Sequence, residues 1–106
     1  MTVEETKNYL NTYRVNQAKI RRFSEEIALY PESASELRQK LNRAKSERET
    51  IEREIENVED PILRELLSQK YECGKTIEEI AYNLNYSYRH TARLHLKALR
   101  EFKRIA

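Results

Sequence analysis

Three features of the sequence predict an all-α fold. The 106 residues include one glycine and two prolines, a composition poor in hairpin turns. Charged residues make up 36 % and hydrophobics 39 %, and the apolar side chains recur at the three- and four-residue intervals of one helix face. Ser/Thr-x-x-Glu capping boxes stand at Thr2–Glu5 and Thr76–Glu79, each at the head of a helical pattern. The length suits one domain, or one small domain with an appendage.

The first helix is expected from about Thr2 to Tyr30. Val3, Leu10, Tyr13, Ile20 and Ile27 lie at heptad a and d spacing, flanked by Phe23 and Tyr30. Thr6, Gln17 and Ser24 interrupt that seam, so only a weak coiled coil is expected. Pro31 ends the helix, because the residue before a proline avoids the α region. A second helix starts at Ser33 or Ser35 and runs to about Val58, with Leu37, Leu41, Ala44, Arg48, Ile51, Ile55 and Val58 as its seam. Two one-sided helices of similar length joined by a short connector predict an antiparallel hairpin over residues 1–58. At ~1.5 Å per residue each arm is roughly 35–40 Å long. The two seams are expected to satisfy each other within the chain. Pairing with a second copy, giving a homodimer through the hairpin, is the alternative.

Residues 59–106 read as a second unit of three helices. Asp60 is a good N-cap and Pro61 fits a first turn. Ile62, Leu63, Leu66, Leu67 and Tyr71 give this helix an apolar face, and Gly74 stands just past its end. The fourth helix opens on Thr76 and Glu79 and carries Ile77, Ile80, Ala81 and Leu84 on one side. Asn85 follows where the chain must turn, and Asn tolerates the left-handed conformation such a turn needs. Ser87 can cap the fifth helix, in which Thr91, Leu94, Ala98 and Phe102 face inward. Arg89, Arg93, Lys97, Arg100 and Arg104 share another face, and the small Ala81 lets the two helices approach closely. This is the layout of a helix-turn-helix, whose second helix enters the DNA major groove.

The run from Ser87 to Arg100 resembles the recognition helix of region 4 of sigma-70 factors, closing on Lys97-Ala98-Leu99-Arg100. Thr76-Ile77-Glu78-Glu79-Ile80-Ala81 resembles the first helix of the same module. The likeness covers about residues 58 to 104, under half of the chain. Within that group it is nearest to the small phage-encoded sigma-like regulators, including the ArpU type, which join a helical N-terminal part to one such module. The resemblance implies a sigma-70 region 4-like fold, double-stranded DNA as ligand, contact with RNA polymerase, and a phage or prophage origin. Tyr88 and Ala92 stand where the family often has basic residues, and Arg89 where it often has an acidic one. A −35-type target is therefore not implied. Nothing in the chain resembles the aromatic-rich region that melts the −10 element, so a complete sigma factor is not expected.

Charge supports a DNA-binding half. Residues 1–60 hold 11 basic and 13 acidic side chains, net −2, whereas residues 61–106 hold 9 and 5, net +4. Seven residues are the candidate DNA contacts. Arg89 and Arg93, near the helix N-terminus, are expected at base edges, where Arg reads guanine O6 and N7. Lys97 and Arg100, with Arg104, are expected at phosphate or in solvent. Ser87, Tyr88 and His90 flank the cap, where they either touch the nucleic acid or cover the turn.

The remaining residues point away from catalysis. His90 and His95 lie five apart with no cysteine at ligand spacing, so no metal and no cofactor are expected. His95 reads as a packed or half-exposed histidine, and Cys73 as a packing residue near a helix end. Tyr9, Tyr13, Tyr30 and Tyr71 lie on or beside apolar seams and read as core; Tyr82 and Tyr86 bracket the turn. One glycine rules out a glycine-rich phosphate loop, no nucleophile–base arrangement is present, and no enzyme activity is expected. The longest apolar run, Ile27 to Tyr30, is too short to span a membrane. The acidic MTVEETKNYL start lacks a signal-peptide pattern, and a single cysteine suits a reducing cytoplasm. Two other functions fit the pattern: a non-transcriptional phage DNA-binding subunit of the packaging type, and a helical protein-interaction module without DNA binding.

Overall fold

The computed structural model describes residues 1–105, which form an all-α fold of five α-helices. The chain runs α1 (Val3–Leu29), a short 3-10 turn (Pro31–Ser33), α2 (Ala34–Glu56), α3 (Pro61–Leu67), α4 (Ile77–Leu84) and α5 (Tyr88–Glu101). A π-helical turn (Ser68–Glu72) continues α3. No helix among the described residues is long and apolar enough to cross a membrane.

Helices α1 and α2 form the expected antiparallel hairpin. Tyr9 on α1 hydrogen-bonds Glu54, and Tyr13, four residues later, donates to Glu52 Oε1 at 2.8 Å, so the two helices run in opposite directions. The Thr2–Glu5 capping box closes in both directions at the start of α1. Tyr30 caps its end at φ −130° and ψ 69°, outside the α region, as the following Pro31 requires. Between the arms Leu10, Tyr13, Phe23, Ala44, Ile51 and Ile55 are buried, while Val3, Ile20, Ile27, Leu37, Leu41 and Arg48 are half-buried.

Polar residues depart from the expected seam. Thr6 does not interrupt it: the residue is buried, and its hydroxyl donates to the Thr2 carbonyl at 3.0 Å. Asn16 and Glu54 are also buried. Tyr30, expected in the core, is exposed. As the cap beyond the last turn of α1, it lies outside the helical register that carries the seam.

The core joins the hairpin to the C-terminal helices. Leu10 and Tyr13 of α1 and Ile51 and Ile55 of α2 form one cluster with Val58, Leu63, Leu67, Tyr71, Ala98, Leu99 and Phe102. After α5 the backbone becomes extended at Phe102 and returns to the hairpin. Phe102 lies 6.1 Å from the Tyr9 ring between centroids, and the Arg104 guanidinium stacks 4.0 Å above the same ring. Arg104 is thus not part of the α5 cationic face; the helix stops at Glu101 and the strap turns Arg104 toward α1. The Ile105 N–H donates to Glu54 Oε2 at 2.6 Å. Glu54 is 1 % exposed and also accepts the Tyr9 hydroxyl. Burial, followed by the Glu54 carboxylate, pushes the Tyr9 phenol up to about 12, so it remains a donor at neutral pH.

Glu54→Ala is expected to strand the Tyr9 hydroxyl and the Ile105 N–H and to lower stability by about 1–3 kcal/mol. Glu54→Gln keeps an acceptor and should cost less. Urea denaturation of both variants checks the order; equal midpoints for Glu54→Ala and the parent would show that the strap is not held by this carboxylate.

Candidate nucleic-acid interface

The α4–α5 corner is assembled by local hydrogen bonds that the sequence encodes. Thr76 and Glu79 form a capping box closed in both directions at the start of α4. At its end Asn85 is left-handed, φ 60° and ψ 41°. The Tyr86 N–H reaches back to the Ala81 carbonyl at 2.9 Å and the Asn85 N–H to Tyr82 at 3.2 Å, the paired bonds of a Schellman turn. Ser87 then caps α5, its Oγ accepting the His90 N–H at 3.1 Å. Ala81 is buried, as expected for the close side of α4.

Three contacts set the rotation of α5. Thr91 is fully buried, as expected of an inward-facing residue, and its hydroxyl donates to the Ser87 carbonyl at 2.9 Å, closing the first turn. The Tyr71 hydroxyl and His95 Nε2 lie 2.7 Å apart, linking α5 to the π-helical turn. Ala98 and Leu99 enter the core. Asn83 donates to Gln69 Oε1 at 3.0 Å, which ties α4 to the same turn. The approach to α4 is tight as well. Gly74 has φ +73°, and a Cβ there would fall 2.4 Å from Arg14 Nη1 of α1. Glycine is favoured there by the left-handed backbone, whereas the arginine tip could shift aside. Cys73 beside it is exposed rather than packed.

With α5 so fixed, Arg89, Arg93, Lys97 and Arg100 are all exposed. The ion pairs among the described residues are Arg22–Glu26, Lys40–Glu36 and Arg48–Glu52, all within α1 or α2, so none engages these four cations. Tyr88 is exposed beside them at 58 %. The other two candidates have internal work. Ser87 uses its hydroxyl as the cap, and His90 is half-buried with its ring edge-on to Tyr86, 4.9 Å between centroids. Tyr82 projects from α4 with 85 % of its surface exposed.

One residue of this surface escaped the sequence reading. Leu96 is 43 % exposed and stands three residues after Arg93 and four before Arg100, which makes the three side chains neighbours on the helix surface. The spacing was available in the sequence; a leucine is simply assigned to the core by default. Among the described residues no group of His, Cys, Asp and Glu could hold a metal ion. Chemically, the surface offers fixed positive charge, hydrogen-bond donors and a little apolar area. Compared with known proteins, the chain matches no family model, no curated protein and no solved structure.

Burial, with Lys70 and Lys7 nearby, pushes the His95 imidazole down to about 4. The fold favours neutral His95, so this contribution is complete above the ordinary value of about 6.5 and is lost as pH falls from there toward 4. Glu72, raised by burial and by Glu52 and Glu56, acts in the opposite sense. Urea melts at pH 7 and pH 5 should therefore show a larger loss for the parent than for His95→Gln; identical losses would mean that His95 does not sense pH through folding.

Proposed function

We propose that the chain is a sequence-specific DNA-binding transcription regulator, sigma-70 region 4-like, phage or prophage encoded, and not a complete sigma factor. The observation that carries the reading is the outer face of α5: four exposed cations outside any ion pair among the described residues, on a helix that follows α4 through a left-handed Asn85 turn. Positive charge on such a helix complements phosphate, and the N-terminal arginines match guanine edges. In this reading α5 lies in the major groove and α4 crosses the backbone. Arg89 and Arg93 read bases; Lys97 and Arg100 neutralise phosphate. Ser87 and His90 support the first turn of the reading helix rather than the bases, since both side chains are already engaged. Contact with RNA polymerase belongs to the proposal through the resemblance alone. The hairpin seams are paired within the chain, which favours the hairpin as a scaffold for α5 over the homodimer alternative.

Selection of bound DNA from a random pool should yield a preferred duplex. Affinity for it should fall with salt at a log–log slope of roughly −0.9 per phosphate neutralised. A folded protein that binds no DNA at ~50 mM salt would refute the regulator reading.

Single substitutions separate the roles. Arg89→Ala or Arg93→Ala should cost about 1–3 kcal/mol on the preferred site and relax sequence preference. Lys97→Ala or Arg100→Ala should weaken all sequences alike and flatten the salt slope by about one unit. Four variants with the same effect on specific and random DNA would show that α5 does not read bases.

A further inference from the structure

Beside its cations α5 leaves an apolar row uncovered. Tyr88, Ala92 and Leu96 follow at four-residue steps and so lie along one line of the helix. Tyr88 and Leu96 are exposed, and Ala92 is half-buried. A lone exposed leucine needs no explanation. Here, however, the leucine closes an aligned row and is flanked by Arg93 and Arg100, whose guanidiniums occupy the same outward face. The flanking charge selects the occupant. A partner presenting only apolar surface would leave those cations unpaired at the rim, whereas duplex DNA supplies a guanine edge for Arg93 and phosphate for Arg100. In the major groove the apolar group available to the row is the C5-methyl of thymine.

We propose that Tyr88, Ala92 and Leu96 read thymine methyl groups in the major groove, so that the target requires thymine at defined positions beside the guanines met by arginine. The proposal rests on the DNA-binding reading above and adds the chemistry of the sequence preference to it. From Tyr88 to Leu96 the helix rises about 12 Å, so the row reaches over roughly three to four base steps of about 3.4 Å. Arginine supplies the polar half of the readout and the row the apolar half. Neither Ala92 nor Leu96 has a hydrogen-bonding side chain, so both discriminate through the methyl alone.

The test uses the full chain and the site obtained from the random pool. Each thymine is replaced in turn by deoxyuridine, which removes the C5-methyl and leaves the base-pairing groups intact. Affinity is expected to fall about fourfold at one or more thymines within a three-to-four-base stretch, the worth of one buried methyl group. Leu96→Ala, a surface change that should leave the thermal melt unaltered, is expected to weaken binding to the thymine site and to abolish the deoxyuridine penalty at its own position. That non-additivity marks direct contact. Unchanged affinity after replacement of every thymine, with site-specific binding retained, would overturn the methyl readout and leave the DNA-binding reading standing. A deoxyuridine penalty that persists in full in Leu96→Ala, Tyr88→Ala and Ala92→Gly would likewise overturn it. A folded chain that binds no DNA removes both readings together.

Discussion

A carboxylate taken out of water loses hydration worth several kcal/mol unless its oxygens find donors, and Glu54 is 1 % exposed. Its two oxygens collect donors from parts of the chain far apart in sequence. Tyr9 of α1 gives a hydroxyl to one and Ile105, beyond α5, gives a backbone N–H to the other. The carboxylate is thus the point at which both arms of the hairpin and the C-terminal strap meet. Tyr9 is held from two further sides, by Phe102 and by the Arg104 guanidinium above its ring. The cleft beside it, about 640 Å³, is lined by Glu59 and Glu101 as well as by Arg100, Lys103 and Arg104. Removing any one donor leaves a polar atom buried without a partner, so the three segments depend on one another more than separate apolar contacts would.

That clasp fixes one end of α5, and the Schellman turn with the Ser87 cap and the Thr91 hydroxyl fixes the other. Between them His95 meets Tyr71, and Ala98 and Leu99 enter the core. A helix held at both ends and in its middle has no freedom to roll. Its outward residues are therefore set by the inward ones: once Thr91, His95, Ala98 and Leu99 face the core, Arg89, Arg93, Leu96 and Arg100 have only solvent before them. The hairpin contributes to the α5 surface in this indirect way. It carries none of the exposed α5 cations, yet it supplies Leu10, Tyr13, Ile51 and Ile55 as the bed on which α5 lies.

The sequence revealed most where structure is decided locally. Both capping boxes, the Asp60 and Ser87 caps, the left-handed Asn85 and the positive φ at Gly74 depend on residues within a few positions of one another, and periodicity predicted the helices between them. Periodicity failed where a residue's environment comes from a distant segment. Glu54 is surface-like in type and buried because a strap from beyond residue 101 closes over it. Arg104 continues the cationic spacing of α5 and leaves that face because the helix ends at Glu101. Cys73 is apolar enough to pack, yet it lies exposed past the end of the π-helical turn. On the candidate interface the same limit acted in reverse. The cations were legible because charge on a helix face is conspicuous, while Leu96 was silent because a leucine carries no sign of exposure until the core is assigned.

Charge placement gives the last constraint on how this molecule meets a polyanion. The net charge of +2 is too small to orient anything by itself. The charge is unevenly placed, however: net −2 over residues 1–60 and +4 over residues 61–106. Glu52 and Glu56 of α2 and Glu65 of α3 crowd Glu72 of the π-helical turn, and with burial they raise its carboxyl above the usual range. Glu72 thus has acidic neighbours, whereas α5 offers Arg89, Arg93, Lys97 and Arg100 outside any ion pair among the described residues. In the proposed DNA-binding reading, a duplex would meet α5 rather than the acidic cluster. Under that proposal the separation of charge, rather than its sum, would set the docking orientation. Pairing the α5 cations to acidic neighbours would add at most a fraction of a kcal/mol each at the surface, about 0.2–1. It would also cancel the field that distinguishes one face of the molecule from the others.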